Sequence, residues 1–285
     1  MTWTNGLNNY SSISAPTRDA TSNARALGID LVRASDVKPK KLARLWNGRF
    51  YRGKLGFIAG EPGLGKSLMA IHMAATVSTG GHWPSGEGTA RLGDVIYISA
   101  EDGAADTVRP RLEAAGADLD RVHLVEAVKD DLGLRPFSLV SDLGRLDQSL
   151  EAICKPRLVI IDPINACFSS TDVRPFNPNS VTQVRALVRG LEALAAKHRV
   201  AIVSVTHFTK AKRGSDLSRV TGSFAFGAAA RSVFTVTRKQ DDPDQRVFAP
   251  AKNNLGRDVG ALAFRIQQRA TSDDIPAPYA VFASS

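Results

Sequence analysis

Cysteine is scarce in this chain: Cys154 and Cys167 are the two that occur in 285 residues. Two isolated cysteines are too few for the disulfide framework of a small secreted protein or for a cysteine-based zinc site. Cys154 lies just before an apolar run, where a small apolar side chain is common. We therefore expect both thiols to be reduced.

Long apolar runs are also missing, so the sequence offers no segment that would cross a bilayer as a helix. The first residues lack the basic and then apolar arrangement of a secretory signal. Hydrophobic residues make up 43% of the chain and charged residues 23%, a balance typical of a globular protein in water. We expect a cytoplasmic protein with no membrane partner, and a length that suits one large α/β domain with extensions.

Negative charge is in short supply, because 28 Asp and Glu residues face 37 Lys and Arg residues and leave a formal net charge of +9. This excess favours a polyanionic partner without identifying it, since many proteins this basic bind nothing specific. Residues 1 to about 35 are rich in Ser, Thr, Asn and Ala and have little apolar periodicity. They predict a flexible N-terminal arm over residues 1–37, followed by one folded domain over residues 38–285.

The most informative motif is Gly60-Glu61-Pro62-Gly63-Leu64-Gly65-Lys66-Ser67, which fits the phosphate-binding pattern G-x-x-x-x-G-K-[ST]. It follows the apolar run of residues 54–59 and precedes a helical pattern over residues 68–75. This order predicts a strand, a glycine-rich turn and a helix. Glycines there allow backbone N–H groups to surround phosphate oxygens at the positive end of the helix.

Within that motif, Lys66 is expected to reach the β- and γ-phosphates, and the Ser67 hydroxyl is expected to hold Mg²⁺. Backbone contacts should come from the whole loop and from Leu68, which follows it. The sequence therefore predicts ATP and Mg²⁺ as cofactors.

Apolar runs and helical patterns alternate through the middle of the chain. We predict strands at residues 94–99, 122–126, 157–162 and 200–207, and helices at residues 104–115, 138–153 and 181–197. This alternation predicts an α/β fold with a mostly parallel sheet flanked by helices, and ligands at the carboxyl ends of its strands. After residue 222 the pattern changes to short strands, which predict a C-terminal antiparallel strand extension at residues 232–238, 246–251 and 261–267.

Two carboxylates follow predicted strands. Asp162 ends the apolar run of residues 158–161, where it could hold Mg²⁺ through water, although a polar residue often simply ends a strand. Glu101 follows the strand of residues 94–99, where it could orient and deprotonate the water that attacks the γ-phosphate. The alternative for Glu101 or its neighbour Asp102 is to cap a helix N-terminus, and both interpretations hold if Asp102 caps while Glu101 acts as the base.

His207 ends another predicted strand, after Ser204 and Thr206. Its imidazole could contact the γ-phosphate and transmit the loss of that phosphate to the next loop. A histidine at a strand end is more often structural, so this hypothesis depends on its position among the other predicted site residues.

Together, residues 60–67, 98–102, 158–163 and 205–207 resemble the RecA-like P-loop ATPases, and within them the RepA-like hexameric replicative helicases of plasmids and phages. The resemblance covers about residues 38 to 268. It implies an ATP-hydrolysing oligomeric motor, a homo-oligomer that is expected to form a hexameric ring and to act on single-stranded DNA as a replicative-type DNA helicase.

The resemblance also implies DNA-binding loops that face a central channel, at about residues 163–179 and 208–222. The second loop contains four basic residues: Lys210, Lys212, Arg213 and Arg219. The first has Arg174, with Phe168 and Phe176 as candidate stacking groups. Either loop could instead be solvated with ordinary surface charge.

In that family an arginine of one subunit meets the γ-phosphate bound by its neighbour. Residues 227–231 match the corresponding stretch, which makes Arg231 the candidate arginine finger. Lys252 is a second candidate for action in trans. Either residue could instead be a salt-bridge partner at a strand end.

Three other functions compete with a helicase. A recombination or regulatory ATPase would bind DNA without unwinding it, and a nucleotide-dependent loader would respond to binding more than to hydrolysis. A small-molecule kinase shares the phosphate loop but usually needs a lid, and the sequence shows no obvious lid insertion.

Overall fold

The computed structural model describes residues 31–131, 133–168, 176–178, 180–207, 226, 230–257 and 259–283. By its contacts the chain divides into two units, Met1–Lys41 and Leu42–Ser285. In the first unit, the described residues contain a 3₁₀ turn at Ala34–Asp36. The predicted arm over residues 1–37 lies mostly outside the described residues and stays a prediction.

The second unit is built around one large sheet. It begins with a hairpin of two short strands, β1 (Arg44–Trp46) and β2 (Phe50–Tyr51). The strands that follow are β3 (Lys54–Gly60), β4 (Asp94–Ser99), β5 (Val122–Val125), the small hairpin β6 (Val128–Asp130) and β7 (Gly133–Arg135), β8 (Pro156–Asp162), β9 (Ala201–His207), β10 (Ser232–Lys239), β11 (Asp242–Asn253), β12 (Leu262–Ala270) and β13 (Pro276–Phe282).

Across the described part of the chain, nine of these strands form one sheet in the order β13-β12-β11-β10-β3-β9-β8-β4-β5. The strands from β10 to β5 run parallel, and β11, β12 and β13 continue the sheet in antiparallel pairs. The predicted parallel sheet with an antiparallel C-terminal extension is confirmed. Strand β13 was not predicted, and its residues Pro276 and Pro278 argue against a strand. Both prolines are tolerated because β13 lies at the edge of the sheet.

Four α-helices are described in this unit. They are α1 (Lys66–Thr79), α2 (Arg109–Ala114), α3 (Leu143–Ala152) and α4 (Val181–His198). A π-helical turn at Ala104–Val108 leads into α2. Helix α3 begins five residues later than predicted, because the Asp142 carboxylate accepts hydrogen bonds from Ser138 N and from both terminal nitrogens of Arg135.

The sheet has an apolar core on each face, and the strands alternate between them. In β8, Leu158 and Ile160 pack in one core with residues of α1 and α2, whereas Val159 and Ile161 pack in the other with residues of α3 and α4. A strand covered on both faces needs no polar positions. This explains why the apolar runs of the sequence are continuous.

The hairpin β1–β2 contributes side chains to the core. Trp46 stacks on Trp83 with ring centroids 4.5 Å apart. Arg49 is fully buried, and its Nε and one terminal nitrogen donate to the two carboxylate oxygens of Glu87 at 2.7 and 2.6 Å. The buried charge is therefore paired, as burial requires.

Cys154 is exposed and Cys167 is buried, and neither forms a disulfide. Among the described helices, none has the length and apolar character needed to cross a membrane.

Candidate active site

The carboxyl ends of four adjacent strands, β3, β9, β8 and β4, bring the predicted site residues to one edge of the sheet. Gly60 ends β3 and lies opposite His207, which ends β9. Asp162 ends β8 and lies opposite Ser99 of β4, two residues before Glu101. Four segments that are distant in sequence therefore converge where a parallel sheet presents ligand-binding loops.

The phosphate-binding loop connects β3 to α1, and two of its glycines are required by geometry. A β-carbon at Gly60 would lie 2.5 Å from the Val236 carbonyl oxygen of the neighbouring strand β10. Gly65 has a φ of 86°, in the left-handed region, and directly precedes α1. Because the loop ends at a helix N-terminus, its N–H groups can serve as donors to an anion.

Lys66 is 4% exposed, and its Nζ donates a hydrogen bond to the Glu61 carbonyl oxygen at 2.8 Å. The ammonium group thus lies over the loop that it would serve. Burial lowers the pKa of Lys66 to about 8, although Asp162, Glu101 and Glu61 act in the opposite direction. The group therefore stays mostly protonated at neutral pH and is positioned to meet a phosphate.

Asp162 is 7% exposed and is held from two sides. Its Oδ1 accepts from the Ser67 hydroxyl at 3.2 Å, and its Oδ2 accepts from the Tyr97 hydroxyl at 2.6 Å. Burial raises the pKa of Asp162, while the hydrogen bonds from Tyr97 and Ser67 favour its ionised form. The two donors thus fix the carboxylate and help to keep it charged.

Sequence reasoning missed Tyr97. Its signal was a tyrosine in the middle of the buried run of β4, since a buried phenol needs a hydrogen-bond partner. Tyr97 pairs with Ile160, so Asp162 is its diagonal neighbour on the same face of the sheet, within reach of an aromatic side chain.

Mg²⁺ prefers hard oxygen ligands, and the site offers them in the Ser67 hydroxyl and the Asp162 carboxylate. The two oxygens lie 3.2 Å apart, and the carboxylate is buried at a position where a cation would offset its charge. These residues therefore fit the ion that the fold implies.

His207 adjoins the same site. Burial lowers its pKa, the Lys66 ammonium lowers it further, and Glu101 acts in the opposite direction. Its Nδ1 is buried and has no hydrogen-bond partner among the described residues. Burial and Lys66 thus favour the neutral imidazole, which keeps a polar atom available to a ligand or to a second side chain.

Glu101 is exposed at the mouth of a cavity of about 310 Å³, which Asp102 and Glu126 also line. The alternative of a helix cap is wrong for Asp102. Gly103 directly precedes the π-helical turn, which has no side-chain cap, and the Asp102 carboxylate accepts instead from Arg111 at 2.8 Å. Asp102 thus forms an ion pair with Arg111, nine residues along the chain, instead of capping a helix.

Arg231 and Lys252 lie away from the carboxyl ends of the strands. Arg231 directly precedes β10, whose first residue, Ser232, pairs with Gly56, four residues before the end of β3. At about 3.3 Å per residue, Gly56 lies roughly 13 Å from Gly60 along β3. Burial lowers the pKa of Lys252, and the nearby Arg231 lowers it further. The structure thus brings these two cations together, but away from the phosphate loop of their own chain.

The predicted DNA-binding residues Lys210, Lys212, Arg213 and Arg219 lie outside the described residues, as does Arg174. Phe168 and Phe176 are described, with ring centroids 4.8 Å apart, and Phe168 stacks on the fully buried Phe226. Both rings are half-buried against the core, and their role in base stacking stays a prediction.

A sequence family described as AAA domain (AAA_25) matches residues 21–213, more than half of the chain. The chain belongs to this family. Among solved structures, one described as an ATPase domain has a similar fold, with a TM-score of 0.53 and 14% sequence identity over 80% of this chain and 85% of that one. The AAA_25 chain thus has the fold of a RecA-like P-loop ATPase domain.

Relatives in sequence include the DNA repair protein RadA of Brucella abortus (strain 2308), 30% identical over 171 residues, which are 60% of this chain and 32% of that protein. RadA of Mycolicibacterium smegmatis is 30% identical over 174 residues, which are 60% of this chain and 31% of that protein. The similarity thus spans about a third of the length of each RadA protein.

Proposed function

We propose that this AAA_25 protein is an oligomeric motor that hydrolyses ATP and acts on single-stranded DNA, in the manner of the RepA-like replicative helicases. One observation carries the proposal. Lys66, Asp162, Glu101 and His207 converge at the carboxyl ends of adjacent strands, whereas Arg231 directly precedes the amino end of β10 and lies near Lys252. Arg231 of one copy therefore lies away from the phosphate loop of the same copy, and a second copy of the chain can supply it there.

Each residue of the converged set has a role that follows from its position. The loop N–H groups and Lys66 bind the phosphates, and Glu101 orients the attacking water and accepts its proton. Ser67 and Asp162 would hold Mg²⁺, which neutralises phosphate charge when it is bound. Tyr97 orients Asp162 through the bond to Oδ2.

His207 lies beside Gly60 at the start of the phosphate loop, and the chain continues from it into the basic stretch of residues 208–222. A change in the hydrogen bonding of the imidazole when the γ-phosphate leaves would therefore act on that stretch. In this mechanism Lys210, Lys212, Arg213 and Arg219 hold the DNA backbone, and their movement displaces the strand.

The test is the rate of phosphate release with and without single-stranded DNA, together with the mass of the particle with and without nucleotide. We expect turnover to rise with DNA and nucleotide to stabilise an oligomer, for which six copies is the proposed number. A monomer that binds ATP and ignores oligonucleotides would contradict the motor function and leave a nucleotide-binding domain.

The similarity to RadA favours a second candidate, an ATPase of DNA repair or recombination that binds DNA without unwinding it. A strand-displacement assay separates the two. Unwinding of a forked duplex that requires ATP supports the helicase, and DNA-stimulated hydrolysis without unwinding supports the repair ATPase.

A further inference from the structure

The amino ends of the same four strands also carry a set of like residues. Arg52 precedes β3, Arg199 precedes β9, Arg157 lies near the start of β8, and Arg91 precedes β4. Since β3, β9, β8 and β4 are consecutive in the sheet, these four residues follow one another along its amino-end edge. We call these four residues the arginine row.

Neighbouring elements fix the positions of the row. Arg52 Nε donates to the Arg199 carbonyl oxygen at 2.6 Å, which joins the starts of β3 and β9. The Arg157 side chain packs against Gly93, two residues after Arg91, which joins the starts of β8 and β4. Arg157 Nε is buried and has no hydrogen-bond partner among the described residues.

The row concentrates positive charge. Burial lowers the pKa of Arg52 to about 10, and Arg157, Arg199 and Arg91 lower it further. Burial also lowers the pKa of Arg157, with Arg91 as the second cause. Because a guanidinium group carries its charge throughout the neutral range, the members of the row repel one another.

A carboxylate at this edge is already engaged. Asp94, the first residue of β4, accepts from Arg121 at 3.1 Å and from the Lys155 backbone N–H at 3.1 Å. The repulsion within the row is therefore left for an external anion to offset.

We propose that the arginine row binds the phosphate backbone of a nucleic-acid strand, at a site separate from the basic stretch of residues 208–222. Strands in a sheet lie about 4.8 Å apart, so four of them span roughly 14 Å. One strand of a duplex rises about 3.4 Å per nucleotide along the helix axis, so this length is that of a few nucleotides. Guanidinium groups bind phosphate oxygens in pairs, which favours a row of arginines over lysines for this ligand.

The site rests on nucleic acid as the partner of the proposed function, but it places that partner at the opposite edge from the nucleotide. A strand held there would stay bound while the residues at the carboxyl-end edge change with each round of hydrolysis. The row therefore acts as a fixed anchor whose affinity does not depend on the nucleotide state.

The variant that tests the row is Arg91→Gln combined with Arg199→Gly. Both side chains are exposed, and Arg199 has a φ of 53°, a conformation that glycine adopts without strain, so the fold should be preserved. The matched control is Arg189→Gln combined with Lys239→Gln, which removes the same number of charges from exposed positions on α4 and β10. The probe is a homopolymeric single strand of about 30 nucleotides, long enough for several sites of this kind.

We expect the row variant to bind the probe about tenfold more weakly than the control at about 0.1 M salt, with or without nucleotide. The slope of log affinity against log salt should fall by about 1.4, because two phosphate contacts are lost. Phosphate release without DNA should match that of the control. Equal affinities and equal slopes for the two variants would overturn the proposal.

Two further arms separate the alternatives. A poly-glutamate of the same charge that displaces the probe as well as unlabelled DNA does would overturn the assignment in favour of an acidic protein partner. The variant Lys210→Ala combined with Lys212→Ala tests the proposed function. If that variant loses DNA-stimulated hydrolysis and the row variant loses no affinity, the motor function is supported and the arginine row is not a DNA site. If the wild type shows no DNA stimulation but the row variant still binds less DNA, the arginine row is supported and the motor function is not.

Discussion

The two edges formed by the ends of strands β3, β9, β8 and β4 differ in the charges that they carry. At the carboxyl-end edge, charges of both signs meet: Lys66 faces Asp162 and Glu101, and the Asp162 carboxylate is held by two hydroxyl donors. At the amino-end edge, the arginine row gathers charges of one sign. At the carboxyl-end edge the charges offset one another, and the N–H donors of the phosphate loop can bind a phosphate. At the amino-end edge the positive charge of the arginine row can be offset by a partner.

Helix direction accounts for part of this difference. In a parallel sheet the connecting helices run opposite to the strands, so α1 begins at the carboxyl-end edge and α4 ends at the other. Helix N-termini offer N–H donors to anions, and helix C-termini offer carbonyl oxygens to cations. The bond from Arg52 to the Arg199 carbonyl oxygen, just after α4, is of the second kind.

Arg231→Ala is expected to have the largest effect, because in the proposed oligomer this arginine would reach the phosphate site of a neighbouring subunit. An arginine finger contributes on the order of a thousandfold to turnover. We expect a loss of about that size with ATP binding preserved, measured as phosphate release.

Mixtures of wild-type and Arg231→Ala subunits serve as the control, since action in trans should poison or rescue activity out of proportion to the mixing ratio. Activity that follows the wild-type fraction would contradict action in trans. Loss of DNA affinity at normal turnover would instead place Arg231 with the arginine row.

Glu101→Gln tests the carboxyl-end edge by itself. Removal of a general base costs about a hundredfold or more in turnover, while binding of ATP should persist because the loop N–H groups and Lys66 are unchanged. The adjacent Asp102→Asn is the matched control, since Asp102 pairs with Arg111 and should change turnover little. Turnover of Glu101→Gln within twofold of wild type would remove it from the site.

Tyr97→Phe removes one hydroxyl from the pair that holds Asp162. We expect the Mg²⁺ concentration for half-maximal turnover to rise about tenfold or more, in line with one lost hydrogen bond to a charged group. Binding of a fluorescent ADP should weaken in the presence of Mg²⁺ and stay unchanged in its absence. Tyr51→Phe, a change at another buried tyrosine, is the control. Equal losses with and without Mg²⁺ would indicate a packing defect.

Arg199→Gly carries the smallest expected effect and tests the amino-end edge. Relief of a left-handed backbone conformation and of like-charge repulsion should stabilise the fold by about 1 kcal/mol. Arg185→Gly, within α4, should instead destabilise it by about 1 kcal/mol. Urea midpoints measure both. A destabilised Arg199→Gly would mean that the side chain supports the fold, and the row would lose its interpretation as a site kept for binding.

Local patterns were enough to predict the phosphate loop and the strand-end residues Asp162 and His207 as a group. Each follows an apolar run, and parallel strands must end at one edge. Tyr97 was missed because its hydroxyl bonds to Asp162 of the neighbouring strand β8. The register between β4 and β8 cannot be read from the sequence. The prediction that Asp102 caps a helix was wrong because its carboxylate pairs with Arg111, nine residues along the chain.

The sequence alone determined the mostly parallel sheet, the phosphate loop and the residues that end its strands, because these depend on periodicity and spacing over a few residues. Tertiary structure decided which residues meet across strands: Tyr97 with Asp162, Arg231 with Lys252, and the arginine row. The four arginines of the row are spread over residues 52–199, and strand order places them side by side. Strand order is set by the packing of two cores over the whole sheet, which no local window of sequence contains.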